Sequence, residues 1–172
     1  MKDKPPFALQ LPILLIALLF TASSEAYARD DGFSARSVKG TWGFTLNGTF
    51  LPSETFAFPT PAAAAGITIY DGEGGCSLSA TLNVGGQVTP QPVESMDCSY
   101  TVDPSGAGTQ ETTVLLPLGS DPVPVTFLTN FVIVDRVNEL PFILSEKPGM
   151  GLAPIVATGA AKRITRNSRR GP

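Results

Sequence analysis

Histidine does not occur in the 172 residues. A Ser-His-Asp triad, a Cys-His nucleophile pair and any His-ligated metal are therefore excluded. The remaining candidates for chemistry are carboxylates, two cysteines and a set of aromatic side chains. Asp71-Gly72-Glu73-Gly74 brings two carboxylates close together, which suits calcium in principle. The further oxygen ligands of an EF-hand are missing, and glycines at this spacing read as a hairpin turn. Glu94, Asp97, Asp103 and Glu111 cluster near neighbouring strands. Two carboxylates held about 5–9 Å apart can hydrolyse a glycoside, but alternation places Asp97 and Asp103 on the polar, outward face. Asp30-Asp31 lies at a chain end. Asn47-Gly48-Thr49 fits an N-glycosylation acceptor and also an Asn-Gly turn that ends the first strand; the turn is the reading adopted. No catalytic residue, metal site or cofactor is assigned.

The elements that position these groups are strands. Cys76 to Val84 alternates five apolar with four polar residues, as a half-buried antiparallel strand does. Trp42, Phe44 and Leu46 alternate with smaller or polar neighbours, as do Cys98, Tyr100 and Val102. Gly-rich turns such as Asp71–Gly75 and Pro104–Gly108 separate the runs. The pattern predicts an all-β fold with about eight antiparallel strands, near residues 38–47, 64–70, 76–84, 97–103, 109–116, 124–134, 140–145 and 154–164. An up-and-down meander of eight strands closes into a small barrel, which removes exposed edges; a β-sandwich is the alternative. Two Pro-bearing loops, Phe50 to Ala62 and Gly85 to Ser95, are placed over one mouth.

Trp42, Phe44, Tyr100, Phe127 and Phe131 fall on inward faces and are the candidate lining of a pocket for an apolar ligand. Tyr100 is the expected polar contact inside it. Cys76 and Cys98 also face inward. Export favours a bridge between them. A simple meander centred near residue 90 instead sets them about six residues apart along the sheet, roughly 20 Å, beyond the ~7 Å limit for a disulfide. The register thus favours two free thiols over the bridge.

These residues resemble a loose group of uncharacterised exported bacterial proteins with a lipocalin-like or allene oxide cyclase-like barrel. The likeness rests on Lys39-Gly40-Thr41-Trp42-Gly43-Phe44, Ala65-Gly66-Ile67 leading to Tyr70-Asp71-Gly72-Glu73-Gly74, Tyr100 to Pro104 with Gly108-Thr109, Phe131 to Val134, and Ala157 to Arg163. Gly40-Thr41-Trp42 is similar to the Gly-x-Trp that opens the first lipocalin strand. The resemblance implies a barrel and an exported location, and no particular activity. Three functions follow as expectations: binding of a small apolar molecule without catalysis, an isomerase or cyclase like allene oxide cyclase, or a structural module contacting the cell envelope.

Lys2 and Lys4, an apolar stretch from Phe7 to Phe20, and Ala26-Tyr27-Ala28 have the layout of a secretory signal cleaved after Ala28. The apolar stretch is short of the ~20 residues that span a bilayer, so no membrane span is expected after cleavage. The domain reading is signal 1–28, flexible mature N-terminus 29–37, barrel 38–164 and basic disordered tail 165–172. The product is secreted or periplasmic. From Arg29 to Ala161 there are 13 acids and 5 bases, whereas Lys162 onward carries five bases and no acid. The acidic body would repel phosphate, so nucleic acid is not an expected partner. Oligomeric state is left open.

Overall fold

The computed structural model describes residues 32–117, 121–134, 136–147 and 153–165. The expected signal segment with its cleavage point after Ala28, and the basic tail beyond Thr165, lie outside these residues. Among the described residues, nine strands follow a short 3-10 helix at Ala35–Val38: β1 (Gly40–Phe50), β2 (Thr60–Tyr70), β3 (Cys76–Val84), β4 (Gln87–Val88), β5 (Val93–Val102), β6 (Ala107–Leu116), β7 (Val123–Val132), β8 (Glu139–Glu146) and β9 (Ile155–Arg163). Every pairing is antiparallel. Strand β1 pairs with both β2 and β9, and β2 pairs with β3, so the sheet returns on itself. The eight long strands form a closed up-and-down barrel, and the sandwich alternative is set aside. β4 is a two-residue appendage on β3.

Period-two alternation explains the closure. Trp42, Phe44 and Phe50 of β1 are buried, as are Ala64, Thr68 and Tyr70 of β2. Their sequence neighbours face outward. Large and small residues share the interior, as a narrow barrel requires. Gly108 lies opposite Phe131, and Gly159 opposite Phe142. A Cβ at either glycine would collide with the facing phenyl ring. The two rings can therefore lie flat against the wall.

One end of the barrel is sealed by the 3-10 helix. Val38 and Trp42 are wholly buried, and the indole Nε1 of Trp42 donates to the Val38 carbonyl at 2.7 Å. The Arg163 guanidinium lies 4.9 Å from the Trp42 ring centre. It also donates to the carbonyls of Ser37 (2.7 Å), Lys39 (3.1 Å) and Val137 (3.1 Å). The segment expected to be flexible up to residue 37 is thus structured from Phe33, which packs against the core beside Ala35. Burial of Val38 and the indole hydrogen bond order it.

The cysteine expectation is overturned: Cys76 and Cys98 form a disulfide with Cα atoms 4.9 Å apart. Three local features correct the register. The chain reverses at Gly85-Gly86, both with positive φ (59° and 88°), rather than near residue 90. This is the glycine-glycine hairpin that favours positive φ at both central positions, and it occupies part of what reads as a loop in the sequence. Two more residues are taken up between β4 and β5, since Asn83 pairs with Val88 but Ala80 with Val93, and a bulge between Ser95 and Asp97 then slides β5 by one residue further. Ala80 faces Val93 above it, and Gly75 faces Ser99 below it. Cys76 and Cys98 are thereby brought opposite one another.

Asn47-Gly48 is not a turn either. β1 runs straight through it to Phe50. Gly48 is needed there because β9 passes so close that a Cβ would strike Ala157 and the Val156 carbonyl.

Candidate functional site

Small side chains leave space inside the barrel. Ala62, Ala64, Ala80 and Ala161 line one part of an interior cavity of about 100 Å³. The rest of its wall is mostly larger apolar residues, including Phe44, Leu78, Leu82, Phe127, Phe131, Leu140 and Phe142. The cavity spans two packed clusters. One surrounds Trp42, Tyr100 and Leu140 at the sealed end, and the other surrounds Val114, Val125 and Ile155 further along.

A polar belt interrupts the apolar wall. Thr68 and Tyr70 come from β2, Gln110 and Thr112 from β6, and Thr129 from β7. Each is buried. The Tyr70 hydroxyl reaches across to donate to Gln110 Oε1 at 2.5 Å. Gln110 Nε2 donates in turn to Thr112 Oγ1 at 2.8 Å. Gln110 pairs directly with Thr129 on the next strand. Burial, with the Tyr100 ring as a lesser influence, raises the Tyr70 pKa far above the usual tyrosine value. Tyr70 is therefore a neutral hydrogen-bonding group across the physiological range.

Among the sequence-predicted lining residues, Phe44, Phe127 and Phe131 bound the cavity. Trp42 and Tyr100 do not. Trp42 is closed off beneath Val38 and Arg163. The Tyr100 hydroxyl accepts from the Gly72 amide at 2.9 Å and donates to the Ala35 carbonyl at 3.1 Å. It therefore ties the sealed end together. The polar role expected of Tyr100 falls to Tyr70, whose ring packs edge-on against Tyr100 with centroids 4.8 Å apart. The sequence signal for the belt is strand parity. Counting back from the apolar Val114 and Leu116 turns Thr112 and Gln110 inward, and counting back from Phe131 turns Thr129 inward. The Thr-rich run 109–113 hides this, because both faces of the strand are polar.

The carboxylate candidates are on the outside. Asp71 accepts from the amides of Glu73 (2.7 Å), Gly74 (3.1 Å) and Gly75 (3.0 Å). These bonds, that of Glu73 foremost, hold its pKa below the usual value. Asp103 accepts from the Ser105 amide at 2.9 Å, with the same effect. Glu94 accepts from the Ser79 hydroxyl at 2.6 Å, Glu111 pairs with Lys147 at 2.7 Å, and Asp97 is exposed. The structure does not bring these acids together into a glycosidase pair. Glu146, which the sequence reading passed over, is buried at the end of β8 and accepts from the Ala153 amide at 3.1 Å.

A second hollow of about 380 Å³ lies beside the cavity, between Thr55 and Phe56 on one side and the β3–β4 hairpin on the other. It shares Leu82, Val84 and Leu116 with the cavity wall. Phe56 stacks on Phe50 there, ring centres 4.5 Å apart.

No family model and no curated protein matches the chain. Among solved structures, it is similar to EF1p2_mFAP2b bound to DFHBI, at 12% identity and a TM-score of 0.44, covering 76% of this chain and 98% of that one. It also aligns with a candidate thioesterase II from Thermobifida fusca YX, at 12% identity and a TM-score of 0.22, covering 88% of this chain and 85% of the other.

Proposed function

We propose that this chain is an exported, non-catalytic barrel that binds a small, mainly apolar molecule in its interior. The observation that carries the reading is the cavity of about 100 Å³ walled by alanine, leucine and phenylalanine side chains. Close-packed interiors rarely keep voids larger than a water molecule, and an apolar cavity gains by filling. Export is supported by the signal-like N-terminus and by the Cys76–Cys98 disulfide, since such bonds persist in oxidising compartments. The binding reading is favoured over a cyclase because the lining residues carry no ionisable group other than the phenol of Tyr70, which burial keeps neutral.

Ala80→Leu tests the proposal. Ala80 lines the cavity and is itself buried, so three added carbons occupy the space from within. In a methyl NMR titration with cyclopentanol, the wild-type protein should show saturable shifts at Val114, Leu140 and Ala161. The A80L protein should fold and show none. Equal shifts in both proteins, or none in the wild type, would refute binding in the cavity.

A further inference from the structure

We infer that the occupant of the cavity is a compact, uncharged molecule with one oxygen-bearing group, a carbonyl or a hydroxyl, held by Thr68, Gln110 and Thr129. The inference rests on the ligand-binding reading above and adds the chemistry of the ligand.

Thr68 and Thr129 are only 4% and 9% exposed. Neither hydroxyl has a hydrogen-bond partner among the described residues, yet neither is sealed from open space. Both residues line the cavity, which is the open space on the inward face of their strands. A buried hydroxyl without a partner is costly, and native interiors seldom keep one unless a water or ligand completes it. Each can both donate and accept. Gln110 adds to the set. One N–H of its Nε2 serves Thr112, and the second has no acceptor among the described residues. Donors and acceptors from β2, β6 and β7 thus line one cavity, while the rest of the wall is apolar.

Two further observations narrow the class. The lining residues include no Lys, Arg, Asp or Glu. An ionised ligand would lose its hydration with no opposite charge to replace it. The volume is of the order of the ~150 Å³ apolar cavity that admits benzene, which selects small rings or short chains.

The test is a methyl NMR titration of the oxidised protein at pH 7 with cyclopentanone, cyclopentanol, cyclopentane and cyclopentanecarboxylate. The wild type should bind the alcohol at least tenfold more tightly than the carboxylate. Thr68→Val with Thr129→Val should weaken the ketone and the alcohol about tenfold and leave cyclopentane unchanged or tighter. Thr129→Ser, which keeps the hydroxyl, should retain ketone binding; it and each single valine variant supply the comparison if the double variant does not fold. Carboxylate binding equal to that of the alcohol, or valine variants that shift all ligands alike, would overturn the polar-belt assignment while leaving the cavity reading intact. Failure of all four compounds to bind the wild type would overturn both.

Discussion

Tyr70 links the core of the barrel to its polar belt. Its hydroxyl donates to Gln110 Oε1, and Gln110 is only 5% exposed, so bulk water does not freely replace that donor. Tyr70→Phe should therefore cost about 1–3 kcal/mol, the range for leaving a buried acceptor unpaired, measurable by urea unfolding. Asp71 governs a different property. Three backbone amides favour its charged form and lower its folded pKa. Its contribution is therefore present above the unfolded carboxylate range, about 3.9, and is lost as pH falls through the lower folded value. The wild type should lose Tm on acidification through that window, and the D71N protein should lose less. At this scale the sequence was read unevenly. Phe44, Phe127 and Phe131 were recognisable as inward aromatics from alternation alone. Gln110 and Thr129 were masked by polar neighbours although parity turns them inward, and Thr68 and Tyr70 were hidden because the apolar Ile67 and Ile69 that alternate with them face outward.

Strands were legible because each carries its own periodicity, and turns because glycine marks them. What period two could not supply was the offset between β3 and β5. That offset depends on a two-residue hairpin at Gly85-Gly86, on two residues taken up between β4 and β5, and on a bulge next to Met96 that breaks the alternation of β5 between Val93 and Cys98. Moving the reversal point by a few residues converts a 20 Å separation into a bond. The disulfide spans 22 residues and joins strands whose direct pairing is brief, at Ser79–Glu94 and Ala80–Val93. The cross-link should stabilise the fold by roughly 3 kcal/mol in the chain-entropy picture. Reduction, or Cys76→Ala with Cys98→Ala, should lower stability by about that amount in chemical denaturation, and the loss should appear as earlier hydrogen exchange along β3 and β5.

For the whole molecule, closure is the organising fact, and Arg163 completes it. The last strand pairs with the first along its length, from Trp42–Arg163 to Phe50–Ile155, and at the end of that ladder the Arg163 side chain lies over Trp42 and bonds to the carbonyls of Ser37, Lys39 and Val137. Arg163→Lys keeps the charge but loses the planar fork that makes three bonds and the stacking. It should destabilise the barrel by about 2 kcal/mol, read as a lower urea midpoint with an unchanged m-value. The closed all-β architecture was visible in the sequence as evenly spaced strands, and the Gly-x-Trp resemblance pointed to the same barrel. A cavity was not visible, because it arises from which alanines face which phenylalanines across the barrel. Sealing at one end and the interior space further along together make the case for a binding protein. The most direct measurement of that claim is a crystal structure of the protein soaked in cyclopentanol. The account predicts one molecule inside the barrel, its ring against Ala80, Phe131 and Leu140 and its oxygen within hydrogen-bond distance of Thr68 or Thr129. A cavity holding only water at saturating cyclopentanol would contradict it.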